Sequence, residues 1–496
     1  MTQEENCSIN KEVAPHEIPA NWVWATLNDI GTIASGSTPS TKEEAFWGGD
    51  IPWLTPADLT GYKRKLIEKG ARNLTNKGLN ACSARLLPKG TILFSSRAPI
   101  GYTVIAANPI ATNQGFKNLI LSEELCNDYV YHYLKGNKQL AESYASGTTF
   151  KELSATRFRR IPIPIPPFTE QGRIVDKMEE SFSKLEAGMK DLKRVLSQTK
   201  RFRQAVLKHA FEGKLTEKWR KIHEGQIEPI RSFVRRVLGD EMPQKLTDRQ
   251  FEVKEMPDSW GYGKLDDWVY IAGRIGWRGL KASEYVEEGP LFLSVYNLNR
   301  GEGVKVDLSD GQHVTEERYQ ESPEIQLREN DILLVKDGAG IGKIGIVEGL
   351  NRKATVNSSL LVIRGKKLFM AKFLLYFLMG PKMQEIVKAR ITGSATPHLF
   401  QRDIKKFELW IPPLEEQQKI VNEVESRLSV IDEVEKTTKL VLKKAEYLRQ
   451  SILGEAFKGK LVSQDPSDEP AEKLLERINV VKHKSENKKK REGKRR

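Results

Sequence analysis

Apolar positions along this chain follow two patterns in turn. In two stretches they form short runs bounded by Gly, Pro or Asp, as in Thr91-Ile92-Leu93-Phe94 and Lys117-Asn118-Leu119-Ile120-Leu121. Asp331-Ile332-Leu333-Leu334-Val335 and Ser359-Leu360-Leu361-Val362-Ile363 repeat that pattern. Such runs predict strands, and a helix is expected after each set, around 128–144 and 371–389. Proline-rich segments then follow, Ile161-Pro162-Ile163-Pro164-Ile165-Pro166-Pro167 and Pro412-Pro413. Proline removes a backbone donor and fixes φ, so these read as extended connectors into a helix start. Beyond them the pattern changes to steps of three and four. Ile174, Met178, Phe182, Leu185, Met189, Leu192 and Leu196 form one row. Ile420, Val424, Leu428, Ile431, Val434, Thr438, Val441, Ala445 and Leu448 form the other. This spacing predicts two long helices sharing a coiled-coil seam. Each spans about 40 residues, or roughly 60 Å.

The chain repeats itself. Ile165-Pro166-Pro167-Phe168-Thr169-Glu170-Gln171 recurs as Ile411-Pro412-Pro413-Leu414-Glu415-Glu416-Gln417. Arg203-Gln204-Ala205-Val206-Leu207 and Gly213-Lys214-Leu215 recur as Arg449-Gln450-Ser451-Ile452-Leu453 and Gly459-Lys460-Leu461. The offset is 246 residues both at Ile165/Ile411 and at Leu215/Leu461. Pro19-Ala20-Asn21-Trp22 matches Pro257-Asp258-Ser259-Trp260 at an offset of 238. Insertions therefore fall inside the modules and not inside the helices, as loops on a shared scaffold diverge. The fold class is α+β: two homologous mixed modules separated by two long helices in an antiparallel coiled coil, duplicated about a pseudo-twofold. We divide the chain into an N-terminal segment (1–18), a first module (19–164) and a long helical region (165–220). A connector of unplaced role (221–255), a second module (256–410), a second helical region (411–462) and a C-terminal segment with a basic tail (463–496) complete it.

Composition narrows the function. Of 496 residues, 29% are charged and 39% apolar, so real cores coexist with much solvated surface. No signal peptide is expected at the polar N-terminus, and no apolar run is long enough to span a bilayer. Cys7, Cys82 and Cys126 are few and scattered, with no metal spacing, which fits a reducing cytoplasm. The net charge is +14, but 481–496 holds nine Lys/Arg against two Glu, a net +7. Half the excess thus sits in the tail, and charge alone does not mark the modules as nucleic-acid binders.

Two motifs are decoys. Gly340-Ile341-Gly342-Lys343-Ile344-Gly345 matches a dinucleotide fingerprint, yet Ile346-Val347-Glu348-Gly349 reads as strand where a helix must take the phosphate. Its counterpart Ile100-Gly101 lacks the flanking glycines, so the shared glycine belongs to a turn. Ile165-Pro166-Pro167-Phe168 resembles an amino-methyltransferase motif but lacks the Asn amide that holds the target amine. No catalytic constellation and no metal cluster is found.

The repeated entry and exit motifs, with Lys200-Arg201-Phe202-Arg203-Gln204-Ala205-Val206-Leu207, resemble the constant regions of type I restriction enzyme specificity subunits. Asp465-Pro466-Ser467-Asp468-Glu469-Pro470-Ala471 resembles their C-terminal segment. Trp47-Gly48-Gly49-Asp50-Ile51-Pro52-Trp53-Leu54 resembles a target-recognition-domain opening. The resemblance implies a non-catalytic DNA-recognition subunit, with each module reading one half of an asymmetric bipartite site. The helix pair would set the spacing and dock two methyltransferase subunits, and motor-nuclease subunits would join. S-adenosylmethionine, ATP and magnesium would belong to those partners, with no cofactor in this chain. Base readout needs Arg, Asn and Gln at groove edges, while Lys grips phosphates. The candidates are Lys63, Arg64, Arg72, Arg97, Asn113 and Gln114 in the first module. In the second they are Arg274, Arg278, Lys281, Asn297, Arg300, Lys336, Lys343 and Asn357. Trp47, Trp53 and Trp277 read as core or loop anchors. The competing reading is a non-DNA scaffold that joins protein partners.

Overall fold

A computed structural model describes residues 15–147, 151–239, 257, 259–274, 280–300, 303–338, 340–392, 398–405 and 407–493. The first module opens with β1 (Val23–Thr26), α1 (Leu27–Ile30), β2 (Gly31–Ser35), β3 (Trp47–Leu54), β4 (Leu66–Ile67) and β5 (Arg72–Leu74). It continues through α2 (Asn76–Asn80), β6 (Ile92–Ser96), β7 (Ile100–Ala106), β8 (Ala111–Thr112) and β9 (Phe116–Leu121). It closes with α3 (Asn127–Gly136), α4 (Lys138–Ser143), α5 (Ala155–Arg159) and β10 (Pro162–Ile165). The long helix α6 (Phe168–Phe211) follows, then α7 (Glu217–Ile222) and α8 (Ile230–Leu238).

The second module repeats the plan. It contains β11 (Gly261–Lys264), α9 (Leu265–Trp268), β12 (Val269–Ala272), β13 (Tyr285–Leu293), α10 (Val295–Arg300), β14 (Gln312–Val314) and α11 (Glu316–Gln320). Next come β15 (Ile332–Val335), β16 (Ile344–Ile346), β17 (Ala354–Val356) and β18 (Leu360–Gly365). After them are α12 (Ala371–Met379), α13 (Pro381–Thr392), α14 (Gln401–Lys405) and β19 (Glu408–Ile411). The second long helix α15 (Leu414–Phe457) and a last helix α16 (Ala471–Gly493) end the chain.

The chain forms two units, one of 1–192 with 440–496 and one of 193–439. In the first, a five-stranded sheet runs β2-β9-β6-β7-β4 and a three-stranded sheet runs β5-β3-β8. In the second the sheets run β12-β18-β15-β16 and β14-β13-β17. The place of β4 is taken there by a single parallel bridge, Lys305 to Ile346. In each unit the smaller sheet holds one parallel pair, β3 with β8 or β13 with β17.

The proline connectors are strands. β10 pairs antiparallel with β1, and β19 with β11. Proline survives in β10 because Pro162 and Pro164 turn their carbonyls away from β1. The Tyr133 hydroxyl donates to Pro162 O (2.6 Å) and the Tyr129 hydroxyl to Pro164 O (2.8 Å). An edge position of that kind needs no N–H. The two expected helices are each broken. The first divides at Asn137, and the second at Gly380-Pro381, where proline lacks the donor a continuous helix needs.

Each repeated Glu-Gln pair fastens its module to a long-helix start, and all four side chains are fully buried. Gln171 Nε2 donates to Pro166 O (3.0 Å) while its Oε1 accepts from Cys126 N (3.0 Å). Gln417 does the same with Pro412 O (2.9 Å) and Met370 N (2.9 Å). Trp22 Nε1 donates to Glu170 (3.0 Å), and Trp260 Nε1 to Glu416 (2.8 Å). The remaining partners differ. Glu170 accepts from Gln464 (2.6 Å); Glu416 accepts from Thr216 (2.6 Å) and the Arg220 guanidinium. Burial pushes the Glu170 carboxyl above its ordinary value, partly offset by Trp22 and Gln464.

The segment that followed α6 without a role in the sequence repeats the C-terminal segment. Glu228-Pro229-Ile230 and Arg236 correspond to Glu469-Pro470-Ala471 and Arg477. Both pairs close an ion pair, Arg236 with Glu228 (2.6 Å) and Arg477 with Glu469 (2.6 Å). Ile230, Phe233, Val234 and Leu238 enter the core of the second unit. Ala471, Leu474, Leu475 and Ile478 enter that of the first.

Within the first unit Arg449 pairs with Glu186 (3.1 Å); within the second Arg203 pairs with Asp432 (2.5 Å). In each unit the ion pair thus joins a stretch of α6 to a stretch of α15. The seam of α15 departs from the expected row. Val434, Val441 and Leu448 are exposed, and Glu435, Leu442 and Arg449 take the inward steps. The two rows lie equally either side of Ile431, Thr438 and Ala445, so the facing helix decides between them: Arg203 reaches Glu435 (3.6 Å) and Glu186 reaches Arg449 (3.1 Å).

Candidate DNA-reading surface of each module

In the first module the loop ends of both sheets meet. The Trp53 indole, anchored in β3, donates to Ser37 O (3.1 Å) in the loop after β2, and Ser37 N donates to Thr112 O (2.9 Å). That approach requires glycine at 36, where a Cβ would lie 2.1 Å from Asn113 O. The Thr38 hydroxyl donates to the exposed Gln114 amide oxygen. Trp47 meets Trp53 edge-on at 5.0 Å, and the Arg72 guanidinium lies 3.4 Å above the Trp47 ring. Lys117 is buried at 6% exposure, its Nζ reaching Ser96 Oγ (3.3 Å) and Gln114 O (3.4 Å). Burial pulls its pKa below the usual lysine range, with nearby Glu152 opposing and Arg97 adding to the fall.

Arg72, Gln114 and Arg97, which follows Ser96, thus belong to one contact chain. Asn113 joins it as a turn former: its Oδ1 accepts from Gly115 N (2.9 Å). Lys63 and Arg64 are exposed but sit elsewhere. Lys63 lines a hollow with His132, Phe182 and Arg449, against the long helices. Neighbouring Lys65 ties that segment down through Glu179 (2.7 Å) and Asp128 (3.0 Å).

The second module corrects one expectation. Asn297 is 1% exposed, and its amide bonds Asp307 O, Asp310 O and Ser294 N inside its own loop. It cannot reach a base edge. Asn357 accepts from Ser359 N (3.1 Å), the same turn as at Asn113. Arg300 is exposed but held by Tyr296, Asp310 (2.7 Å) and Asp307 (3.4 Å), which also raise its pKa, the tyrosine contact most. Lys343 reaches Asn299 Oδ1 (2.8 Å), and Lys336 reaches Asp337 (3.4 Å). Lys281 is exposed, its backbone N–H capped by Glu284 (2.6 Å). Arg274 is half-buried after β12. Arg278 and Trp277 lie outside the described residues.

Equivalent positions carry different chemistry. The bridge Arg97–Glu152 of the first module is Asp337–His398 in the second, where the carboxylate contacts the imidazole. The glycine loop is a turn. Gly101 (φ 101°) and Gly342 (φ 82°) both take the left-handed region, and β16 follows Gly342. A Cβ at Gly342 would lie 2.5 Å from Val387 of α13, and one at Gly101 2.5 Å from Lys138 of α4.

A family model, the type I restriction modification DNA specificity domain, matches residues 19–194 and again 291–444. The chain belongs to that family. It is 32% identical over 455 residues to the type I restriction enzyme MjaIX specificity subunit of Methanocaldococcus jannaschii, covering 91% of this chain and 96% of that one. It is 27% identical to the EcoBI specificity subunit of Escherichia coli, covering 97% and 96%. A solved chain from work on complex assembly and conformational transition of the type I R-M system superposes with a TM-score of 0.59 at 18% identity, over 90% of this chain and 100% of the other. The HsdS subunit of Thermoanaerobacter tengcongensis gives 0.51 at 17%, over 90% and 99%. These two likenesses show the fold. As a specificity subunit the chain determines DNA target recognition and is not the catalytic subunit. Among the described residues no helix is long and apolar enough to cross a membrane.

Sequence reasoning missed Trp47 as a platform for Arg72, and missed Thr38 and Lys117. A lysine inside the apolar run of β9 was a visible signal for Lys117. The others depend on loops that meet only after folding.

Proposed function

We propose that each module reads one half of an asymmetric, bipartite duplex-DNA site, and that the antiparallel helix pair sets the distance between the halves. The observation that carries this reading is duplication with divergent rims. The two modules share strand order and the Trp–Glu and Gln–carbonyl anchors, yet differ where side chains reach solvent. A symmetric reader would keep those positions alike. The helical regions also dock two methyltransferase subunits, and motor-nuclease subunits complete the assembly. S-adenosylmethionine, ATP and magnesium act in those partners, in the cytoplasm.

Replacing residues 20–160 by the same region of a relative tests it. Sequencing of modified DNA should show one half-site changed and the other intact; a change in both halves defeats the modular reading. Duplex affinity of the assembled complex should also fall steeply with salt, because phosphate contacts release counterions. Affinity indifferent to salt and to duplex would favour a protein scaffold.

A further inference from the structure

The small sheets of the two modules share a pairing pattern, with a bulge one residue longer in β13. Trp47 pairs with Leu74 and Tyr285 with Val314; Trp53 pairs with Arg72 and Phe292 with Gln312. Leu74 and Val314 are both fully buried, and the next residue in each case caps a short helix. Thr75 Oγ1 accepts from Gly78 N (3.0 Å), and Thr315 Oγ1 from Arg318 N (3.2 Å). Both β3 and β13 carry a bulge between their two aromatic residues. Those aromatics meet edge-on in both modules, Trp47 with Trp53 at 5.0 Å and Tyr285 with Phe292 at 6.2 Å. Arg72 and Gln312 therefore occupy one structural position, and both are exposed.

What stands there is suited to a base edge. The Arg72 guanidinium carbon lies 3.4 Å from the centroid of the Trp47 ring. A guanidinium held over a ring face keeps the donors at the edge of its planar fork free for a bidentate acceptor. Among the described residues no carboxylate pairs with it, whereas Arg300 is held by Asp307 and Asp310. Gln312 presents a carboxamide, one donor and one acceptor. A bidentate arginine matches guanine O6 and N7; a bidentate glutamine matches adenine N7 and N6.

We propose that Arg72 and Gln312 are corresponding base-reading residues, Arg72 for a guanine in the first half-site and Gln312 for an adenine at the equivalent place in the second. This rests on the assignment of one half-site to each module. Trp47 is the platform for Arg72, and Gln312 stands opposite Phe292 of the corresponding aromatic pair.

The test is sequencing of modified DNA from cells carrying the whole complex, with the full-length chain as wild type, R72Q or Q312R. With R72Q, one guanine column of one half-site should become adenine or lose its preference, with the other half-site unchanged. With Q312R, an adenine column of the other half-site should become guanine. The wild-type preference at each column should be on the order of tenfold to a hundredfold. If neither substitution alters any column, or the altered columns are not guanine and adenine, the assignment is overturned while the modular reading stands. If either substitution alters both half-sites, the modular reading itself fails. Should a variant leave no modified DNA, purified complex carrying R72A or Q312A is titrated with duplexes changed at that one base pair. Loss of the preference supports the assignment, and a retained preference overturns it.

Discussion

Replacing Glu416 by alanine should open the second unit at far less cost than the same change at Glu170 opens the first. The two carboxylates are equivalent by sequence and both are fully buried. Only Glu416 is bonded to a cation, the Arg220 guanidinium, which is itself 15% exposed. Removing one partner of a buried ion pair strands the other charge and costs about 3–5 kcal/mol. The Trp260 indole and the Thr216 hydroxyl lose their acceptor as well, and an unsatisfied buried donor costs about 1–3 kcal/mol. Arg220 can still bond Gly213 O (2.5 Å), so the sum is capped near the lower ends, at about 5 kcal/mol. Glu170→Ala strands only the neutral Trp22 indole, because the exposed Gln464 amide still reaches Gly459 O (3.2 Å). Burial pushes the Glu170 carboxyl upward, so deleting it relieves some desolvation. About 1–3 kcal/mol is expected there. A chain of two units does not unfold in one step, so the assay is hydrogen exchange resolved by peptide, comparing α12 and β19 with α3 and β10. Equal opening of both units, or a larger effect for Glu170→Ala, would refute this account of the anchors.

Three further outcomes are expected. Arg173 holds the Asp468 carboxyl below its ordinary value, with Thr169 assisting. A depressed acid stabilises above its unfolded pKa and loses that contribution as pH falls toward the folded one. The gap in denaturation midpoint between wild type and D468N should therefore shrink below about pH 4; a gap that ignores pH would count against it. Inserting one heptad at matched points of α6 and α15 should lengthen the target gap while leaving the half-site letters alone, as read by modified-site mapping. Unchanged spacing would remove the ruler from the mechanism. Deleting 481–496, which carries a net +7, should weaken non-specific duplex binding at low salt more than it alters sequence choice. Non-specific affinity that survives the deletion would refute that role.

Much of the architecture was legible because it depends on local periodicity. Strands at 92–96 and 332–335, the two long helices and the duplication follow from apolar spacing and an offset that does not slip. The rims were not legible. Asn297 looked like a base reader because asparagine can be one; folding buries it and uses its amide to close a loop. Val434, Val441 and Leu448 looked like seam because each fits a step of three, and only the partner helix decides which apolar row faces inward.

By itself the sequence determined that there are two copies of one module, each leading into a helix through an Ile-Pro-Pro-x-x-Glu-Gln connector. Period and repetition are properties of the chain order, and no contact is needed to see them. Only the tertiary structure decided that residues 230–238 are the counterpart of the C-terminal helix start, that Arg72 rests on Trp47, and that Gln312 stands in its place. Those facts depend on which strands pair and in what register. Residues 25 apart, such as Trp47 and Arg72, become neighbours through backbone hydrogen bonds that the order of letters does not display.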